Sequence, residues 1–197
     1  MNTLVIVAHP QLADSTTQAF LQEGARLAQA TWRTVETVQS ADLQAADRVL
    51  FQFPLIWYQA PASLTAWLAD QDLALLAHKE FGVVVNLGRP LKDYQAGGRV
   101  GVSLEALLSP FVALAHTQQM QYLPPFVIAQ FAYLDEQARG QMLVAYQQYL
   151  SLPQPQHFND EAAWWLQQLP AGPLKDALQA RQDQLVSLQQ ALEDDNE

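Results

Sequence analysis

Cysteine is absent from the 197 residues, which excludes disulfide bracing, a thiolate nucleophile and sulfur-ligated metal. Basic residues are scarce: 10 Lys and Arg against 20 Asp and Glu give a formal net charge of -10, and part of the acidic excess sits in the closing "EDDNE". Without a visible basic face, a nucleic acid or an anionic membrane surface finds little to attract it, and such partners are disfavoured. No apolar run approaches membrane-spanning length, and the opening "MNTLVIVAHP" carries neither a basic n-region nor a small-residue cleavage site. The expectation is a soluble, cytoplasmic protein with no membrane insertion. GxGxxG and GxxxxGK[ST] are also missing, so the common dinucleotide and nucleoside-triphosphate loops have no support. What is plentiful is apolar surface, 50% of residues, enough core for one α/β domain plus a tail.

Residues 3–8, "TLVIVA", form a continuous β-branched run suited to a parallel strand buried on both faces. "HPQLADS" breaks it, and Ser15 or Thr16 caps a helix with Ala19, Phe20, Ala25 and Leu27 on its apolar side. Further strands are expected at 33–38, 48–53 and 81–88, with helices after 61 and over 103–116. "MQYLPPFVIAQF" is read as a fifth strand interrupted by Pro124-Pro125, followed by a helix from about Asp135 to Leu150. Strands alternating with helices imply a doubly wound α/β fold with a parallel sheet. Ligands of such sheets sit beyond the carboxyl ends of the strands, which directs attention to loops 9–18, 54–61 and 86–98. After residue 150, "SLPQPQ" reads as a linker to two helices, the second carrying Leu174, Leu178, Leu185, Leu188 and Leu192 as an apolar stripe.

The first loop ends in Ser15, Thr16 and Thr17 at a helix start, where hydroxyls and free N–H groups serve either as an ordinary cap or as a phosphate cradle. His9 in "AHP" invites comparison with zinc-dependent sugar deacetylases, whose "AHPDDE" supplies metal-binding carboxylates, but Gln11, Leu12 and Ala13 fill those places and no metal site is expected. In the second loop, "PLIWYQAPASLTAWLAD" (54–70), Pro54 ends the strand and Pro61 starts the next helix. Between them, Trp57 and Tyr58 either plug the end of the core or flank a planar, amide-edged ligand.

"AHPQLADS", the Pro-x-x-Trp-Tyr-x-x-Pro-Ala-x-Leu pattern, "DYQAGG" with "LEALLSP", and "LPPF", in this order, resemble the flavodoxin-like NAD(P)H:quinone oxidoreductases. The likeness is to the small bacterial branch that includes general stress protein 14 and the ancillary proteins of glutathione-gated potassium efflux, and it runs from about residue 3 to 150. The resemblance implies a five-stranded sheet of order 2-1-3-4-5 and a flavodoxin-like domain over 1–150; the linker and helical extension over 151–197 lie beyond it and are expected to pack on that domain or on a dimer partner. It further implies FMN rather than FAD, NAD(P)H as co-substrate, a quinone or similar small-molecule acceptor, a homodimer, and by analogy a membrane transporter as partner. His9, Ser15, Thr16, Thr17 and Gln18 would then face the flavin's phosphate side. Leu55, Ile56, Trp57 and Tyr58 would bind the isoalloxazine, Asn86, Leu87, Gly88 and Arg89 would curl round its pyrimidine edge, and Tyr94 would be the tyrosine assisting hydride movement.

The chain departs from the family in six places, among them a short loop after strand 2 and the lack of a histidine often found beyond the tyrosine. Asn is usual where Gln18 stands, and "NLGR" replaces Thr-Thr-Gly-Gly, so that Arg89 occupies a glycine position. An aromatic motif normally found between Asp70 and Lys79 is reduced to "QDLALLAH", and the two tail helices are an addition. Two readings follow: a flavoenzyme passing hydride from NAD(P)H through FMN to a quinone, and a non-catalytic flavodoxin-fold regulatory or interaction protein with a degenerate flavin site.

Overall fold

The computed structural model describes residues 1–153 and 157–194, with side chains through 188. Part of the expected linker (154–156), the end of the acidic tail (195–197) and the Leu192 side chain lie outside the described residues. The chain separates into two compact units, Met1–Leu150 and Ser151–Glu197.

In the first unit β1 (Thr3–Val7) leads to α1 (Thr16–Leu27), β2 (Thr31–Thr34), α2 (Ser40–Ala45) and β3 (Arg48–Pro54). Then follow α3 (Ala62–Ala69), β4 (Glu80–Leu87), α4 (Leu104–Leu107), α5 (Ser109–Thr117), β5 (Gln121–Tyr122), β6 (Phe126–Ala129) and α6 (Glu136–Ser151). All pairings are parallel, in the order β2-β1-β3-β4, with both β5 and β6 on the far side of β4. The fifth position of the sheet is therefore one strand in two pieces. Pro124 and Pro125 lack the N–H groups that would continue the ladder between them.

The strand alternation of period two splits the core. Leu4, Ile6, Val49, Phe51, Phe53, Phe81, Val83 and Val85 build one layer, where Phe51 packs edge-on against Phe81 at 4.8 Å and against Trp67 of α3 at 5.9 Å. Val5, Val7, Leu50 and Val84 face the other way, onto Leu21 and Ala25 of α1 and Tyr146, Tyr149 and Leu150 of α6.

On that second face β3 places polar groups at Arg48 and Gln52, both wholly buried. Arg48 binds Glu80 through Nε and Nη2, each at 2.7 Å, and donates from Nη1 to the Tyr149 carbonyl at 2.6 Å; Thr3 Oγ1 donates to the Leu150 carbonyl at 2.7 Å. The last carbonyls of α6 thus find donors on the sheet, with a cation at the negative end of the helix dipole. Position 82 faces the same way and is glycine, where a Cβ would run into the Tyr149 hydroxyl and meet Leu50 at 2.8 Å.

Two local readings need correction. The second strand covers 31–34 rather than 33–38, because Thr37 folds the chain back: its Oγ1 accepts from the Thr34 N–H and its own N–H donates to the Thr34 carbonyl. The helix expected over 103–116 is two helices broken at Leu108. Pro110 has no N–H for the Ala106 carbonyl, which instead accepts the Ser109 hydroxyl at 2.8 Å.

The second unit contains α7 (Phe158–Gln168) and α8 (Pro173–Asp194). Gln182 donates to the Asn159 carbonyl and Lys175 to the Leu169 carbonyl, while Trp164 and Trp165 meet edge to face at 5.0 Å. No helix among the described residues is long and apolar enough to cross a membrane.

Replacing Arg48 by Met leaves Glu80 unpaired and the end of α6 without its donor, and is expected to cost about 3 kcal/mol by urea denaturation. The double variant Arg48→Met, Glu80→Leu is expected to recover most of that loss, since apolar groups tolerate the site better than a half-pair. Burial raises the Tyr146 phenol well above its ordinary value and Tyr149 likewise. A raised folded-state pKa gives stability that is complete below the unfolded value of about 10 and lost as pH rises through the folded one. The urea midpoint is therefore expected to hold up to about pH 9 and to fall above about pH 10, together with the appearance of tyrosinate absorbance.

Candidate functional site

Three loops emerge at the carboxyl edge of the adjacent strands β1, β3 and β4. The middle one is the most constrained. The Leu55 N–H donates to the Asn86 carbonyl at 2.9 Å, prolonging the β3–β4 pairing by one residue. Ile56 and Gln59 then exchange two backbone hydrogen bonds, of 2.9 and 3.0 Å, across a two-residue turn. Its central residues are Trp57 at φ 49° and Tyr58 at φ 64°.

Positive φ at both central positions is the type I′ requirement, ordinarily met by Asn-Gly. Here two aromatics meet it, at about 1–2 kcal/mol each. The strain does not serve burial: Trp57 is 87% exposed and Tyr58 42%. Pro61 at the N-cap of α3 and the buried Leu64 fix the far side of the loop.

Across from the turn, β4 ends in Leu87 and the chain passes through Gly88 and Arg89 to the 3-10 turn Leu91–Asp93 and Tyr94. Leu55, Ile56, Trp57, Tyr58, Gly88, Arg89 and Tyr94 together line a cavity of about 350 Å³, within the range of small-molecule sites. Tyr94 is buried, and burial pushes its phenol above the ordinary tyrosine range; nearby Arg89 pulls it back, while Tyr58 and Asp93 push it further up. A proton therefore stays on the Tyr94 oxygen at neutral pH. Just before this bend, Asn86 Oδ1 is buried with no hydrogen-bond partner among the described residues, an acceptor left unused at the strand end.

The first loop lies apart from that cavity lining. Ser15 caps α1 by accepting the Gln18 N–H at 3.3 Å, which leaves the first helical N–H groups, of Thr16 and Thr17, outside the intrahelical pattern. His9, half-buried, accepts the Gln11 N–H on Nδ1 at 3.1 Å, and burial holds its imidazole below the ordinary value. An Nδ1 that accepts is unprotonated, so the neutral ring carries its proton on Nε2.

Gln18 behaves differently from its neighbours. It is 1% exposed, and its Oε1 accepts from Gln52 Nε2, while Gln52 Oε1 accepts the Tyr146 hydroxyl at 2.7 Å. This buried chain from α1 through β3 to α6 was missed in the sequence, although a lone glutamine inside "VLFQF" is a visible sign of it. Gln18 Nε2 remains without a partner among the described residues. The segment 70–79 contains only the Asp72-capped 3-10 turn Leu73–Leu76.

Comparison with known proteins places this geometry in context. Residues 25–150 match the family described as having the flavodoxin-like fold. General stress protein 14 of Bacillus subtilis is 34% identical over 150 residues, which span 64% of this chain and 84% of the relative. The crystal structure of an NADPH-quinone reductase from P. pentosaceus is 37% identical with a TM-score of 0.71, over 77% of this chain and 98% of that one. A general stress protein 14 from Treponema denticola, solved in complex with FMN, is 25% identical with a TM-score of 0.63, over 90% of this chain and 99% of that one. The sheet order, the site at its carboxyl edge and these matches lead to one conclusion: the chain belongs to the family of the flavodoxin-like fold.

Proposed function

We propose that the protein is a flavin-dependent oxidoreductase that takes hydride from NAD(P)H onto FMN and passes two electrons to a quinone-type small-molecule acceptor. The observation carrying this reading is the cavity at the Trp57-Tyr58 turn, an aromatic-sided pocket whose backbone is held in an unfavourable conformation while its largest side chain stands in solvent. Strain of that kind persists where function repays it. The relatives' names add the chemistry, and FMN is the group bound in the Treponema denticola structure.

The residues fit the group. The cavity has aromatic sides, Gly88 leaves open space where a side chain would stand, and Asn86 Oδ1 is an unspent acceptor at the strand end. Trp57 and Tyr58 would border the ring system, with Leu55, Ile56, Leu87 and the backbone of Gly88 and Arg89 along its edge. The N–H groups of Thr16 and Thr17, the Ser15 hydroxyl and His9 would receive the phosphate. FMN, when bound, supplies the hydride and electron chemistry. The chain's own contribution is binding, orientation and proton placement: Tyr94 keeps its proton on the phenolic oxygen and so offers a hydrogen-bond donor inside the pocket. Gln18, tied to Gln52, fixes the first turn of α1 from beneath rather than reaching outward.

A homodimer belongs to the same reading. Ile56, Trp57, Tyr58, Leu91 and Val102 are large apolar groups exposed on the first unit, and an isologous partner would cover such a surface. Sedimentation at micromolar concentration is expected to give twice the chain mass; a monomer throughout contradicts it.

Fluorimetric titration with FMN tests the assignment and separates it from a non-catalytic fold relative. Trp57→Ala is expected to weaken FMN binding about tenfold, the worth of one stacking contact, and unchanged affinity would remove Trp57 from the site. Trp57→Gly relieves about 1–2 kcal/mol of left-handed strain against about 0.4–1 kcal/mol of added chain entropy. It is expected to leave the thermal midpoint level or slightly raised while losing as much FMN affinity as the alanine variant.

A further inference from the structure

The distribution of cations sets the site loop apart from the rest of the chain. Of the 10 Lys and Arg residues in a protein of net charge -10, three, Arg89, Lys92 and Arg99, fall on the loop that follows β4. Arg26, Arg33 and Arg48 are held by Glu23, Asp42 and Glu80, Lys79 donates to the Ala46 carbonyl, Arg139 lies over the Phe131 ring, Lys175 donates to the Leu169 carbonyl and Arg181 to Gln184 Oε1. Arg89, Lys92 and Arg99, all exposed, have no carboxylate within 4.0 Å among the described residues. The loop's own carboxylate, Asp93, is half-buried.

Among the described residues Arg89 is also the only charged side chain lining the cavity, and two phenols, Tyr58 and Tyr94, line it with Arg89. Arg89 and Tyr58 both act electrostatically on the Tyr94 hydroxyl. Neither phenol has a hydrogen-bond partner among the described residues. A guanidinium presents N–H donors alone, and a protonated phenol has a proton to give. Three donors lining one cavity, one of them cationic, in a chain whose net charge is negative, is an arrangement that suits an anion.

We propose that the compound reduced in this pocket is a planar acceptor carrying an anionic substituent, a carboxylate, sulfonate or ionised hydroxyl, seated on Arg89 between the Tyr58 and Tyr94 hydroxyls. The proposal rests on the oxidoreductase reading above and narrows its acceptor class. A neutral quinone carbonyl can accept from these donors, but only an anionic group also pairs the guanidinium charge, and the charge-assisted bond is the stronger one.

Two probes of like ring shape test it, menadione and naphthoquinone sulfonate, titrated calorimetrically into the FMN-loaded protein without nicotinamide, so that no turnover intervenes. The sulfonate is expected to bind at least about tenfold more tightly than menadione, roughly one charge-assisted hydrogen bond, and to lose that advantage as ionic strength rises. In Arg89→Gln the ratio of the two dissociation constants is expected to collapse toward one. Equal binding of the probes by the parent overturns the proposal. So does an equal loss for both in Arg89→Gln, which would assign the arginine to the flavin or to packing. If only the discrimination between NADP+ and NAD+ changes in the variant, the anion recognised is the dinucleotide's phosphate and the proposal also fails. An FMN titration run alongside keeps the two readings apart: a parent that takes up no FMN removes the oxidoreductase reading, and the same probe pair on the flavin-free protein still decides whether Arg89 selects anions.

Discussion

Two adjacent aromatic residues in left-handed backbone, Trp57 and Tyr58, are the constraint around which the site is organised. Neither would hold that conformation alone. It is imposed from both ends, by the paired hydrogen bonds of Ile56 with Gln59 and by the Leu55 link to Asn86 on β4, with Pro61 anchoring the start of α3. The effect is to stand a large indole in solvent at the sheet's edge, opposite Gly88, Arg89 and Tyr94. The loop's rigidity is borrowed from the β3–β4 pairing, so the sheet supplies the precision of the pocket.

That sheet works differently on its two faces. One is apolar along β3 and β4 and locks those strands to α3 and α5 through phenylalanines that meet Trp67 and Phe111. The other interrupts its apolar surface twice along β3. Arg48 holds the carbonyl end of α6 near the base, and Gln52 joins Tyr146 of α6 to Gln18 of α1 near the top. Whichever way the Gln18 amide is turned, one of its ends stays unpaired, because Gln52 and Tyr146 together offer it a single bond. The first turn of α1 is thereby tied to the core directly beneath the helix start that the flavin reading gives to phosphate.

Much of the fold was legible in the sequence, for a definite reason. "TLVIVA", "RVLFQF" and "FGVVVNLG" are apolar on every residue but a few because both faces are covered, and that pattern is hard to mistake. Pro124-Pro125 announced the split fifth strand. The second strand's limits were obscured because Thr34 and Thr37 close a turn with side chains that also suit strands, and the break at Leu108 was carried by Pro110, which was visible but not used. In the site, the proline-bounded loop and the segment at 86–94 pointed to residues that line one cavity. The left-handed turn did not show itself, since "IWYQ" contains none of the Asn or Gly that normally marks such a turn. The Gln18–Gln52 bond was equally hidden, because it joins side chains far apart in sequence whose meeting depends on α1 crossing β3.

FMN is expected to lie against the Trp57-Tyr58 turn at the carboxyl edge of the sheet. Isotope-filtered NMR of the protein with unlabelled FMN measures this directly, through nuclear Overhauser contacts between the flavin ring methyl protons and aromatic side chains. Contacts are expected to the Trp57 indole and to the Tyr58 or Tyr94 ring. Saturating FMN that shows contacts only elsewhere, or none because FMN does not bind, would contradict it.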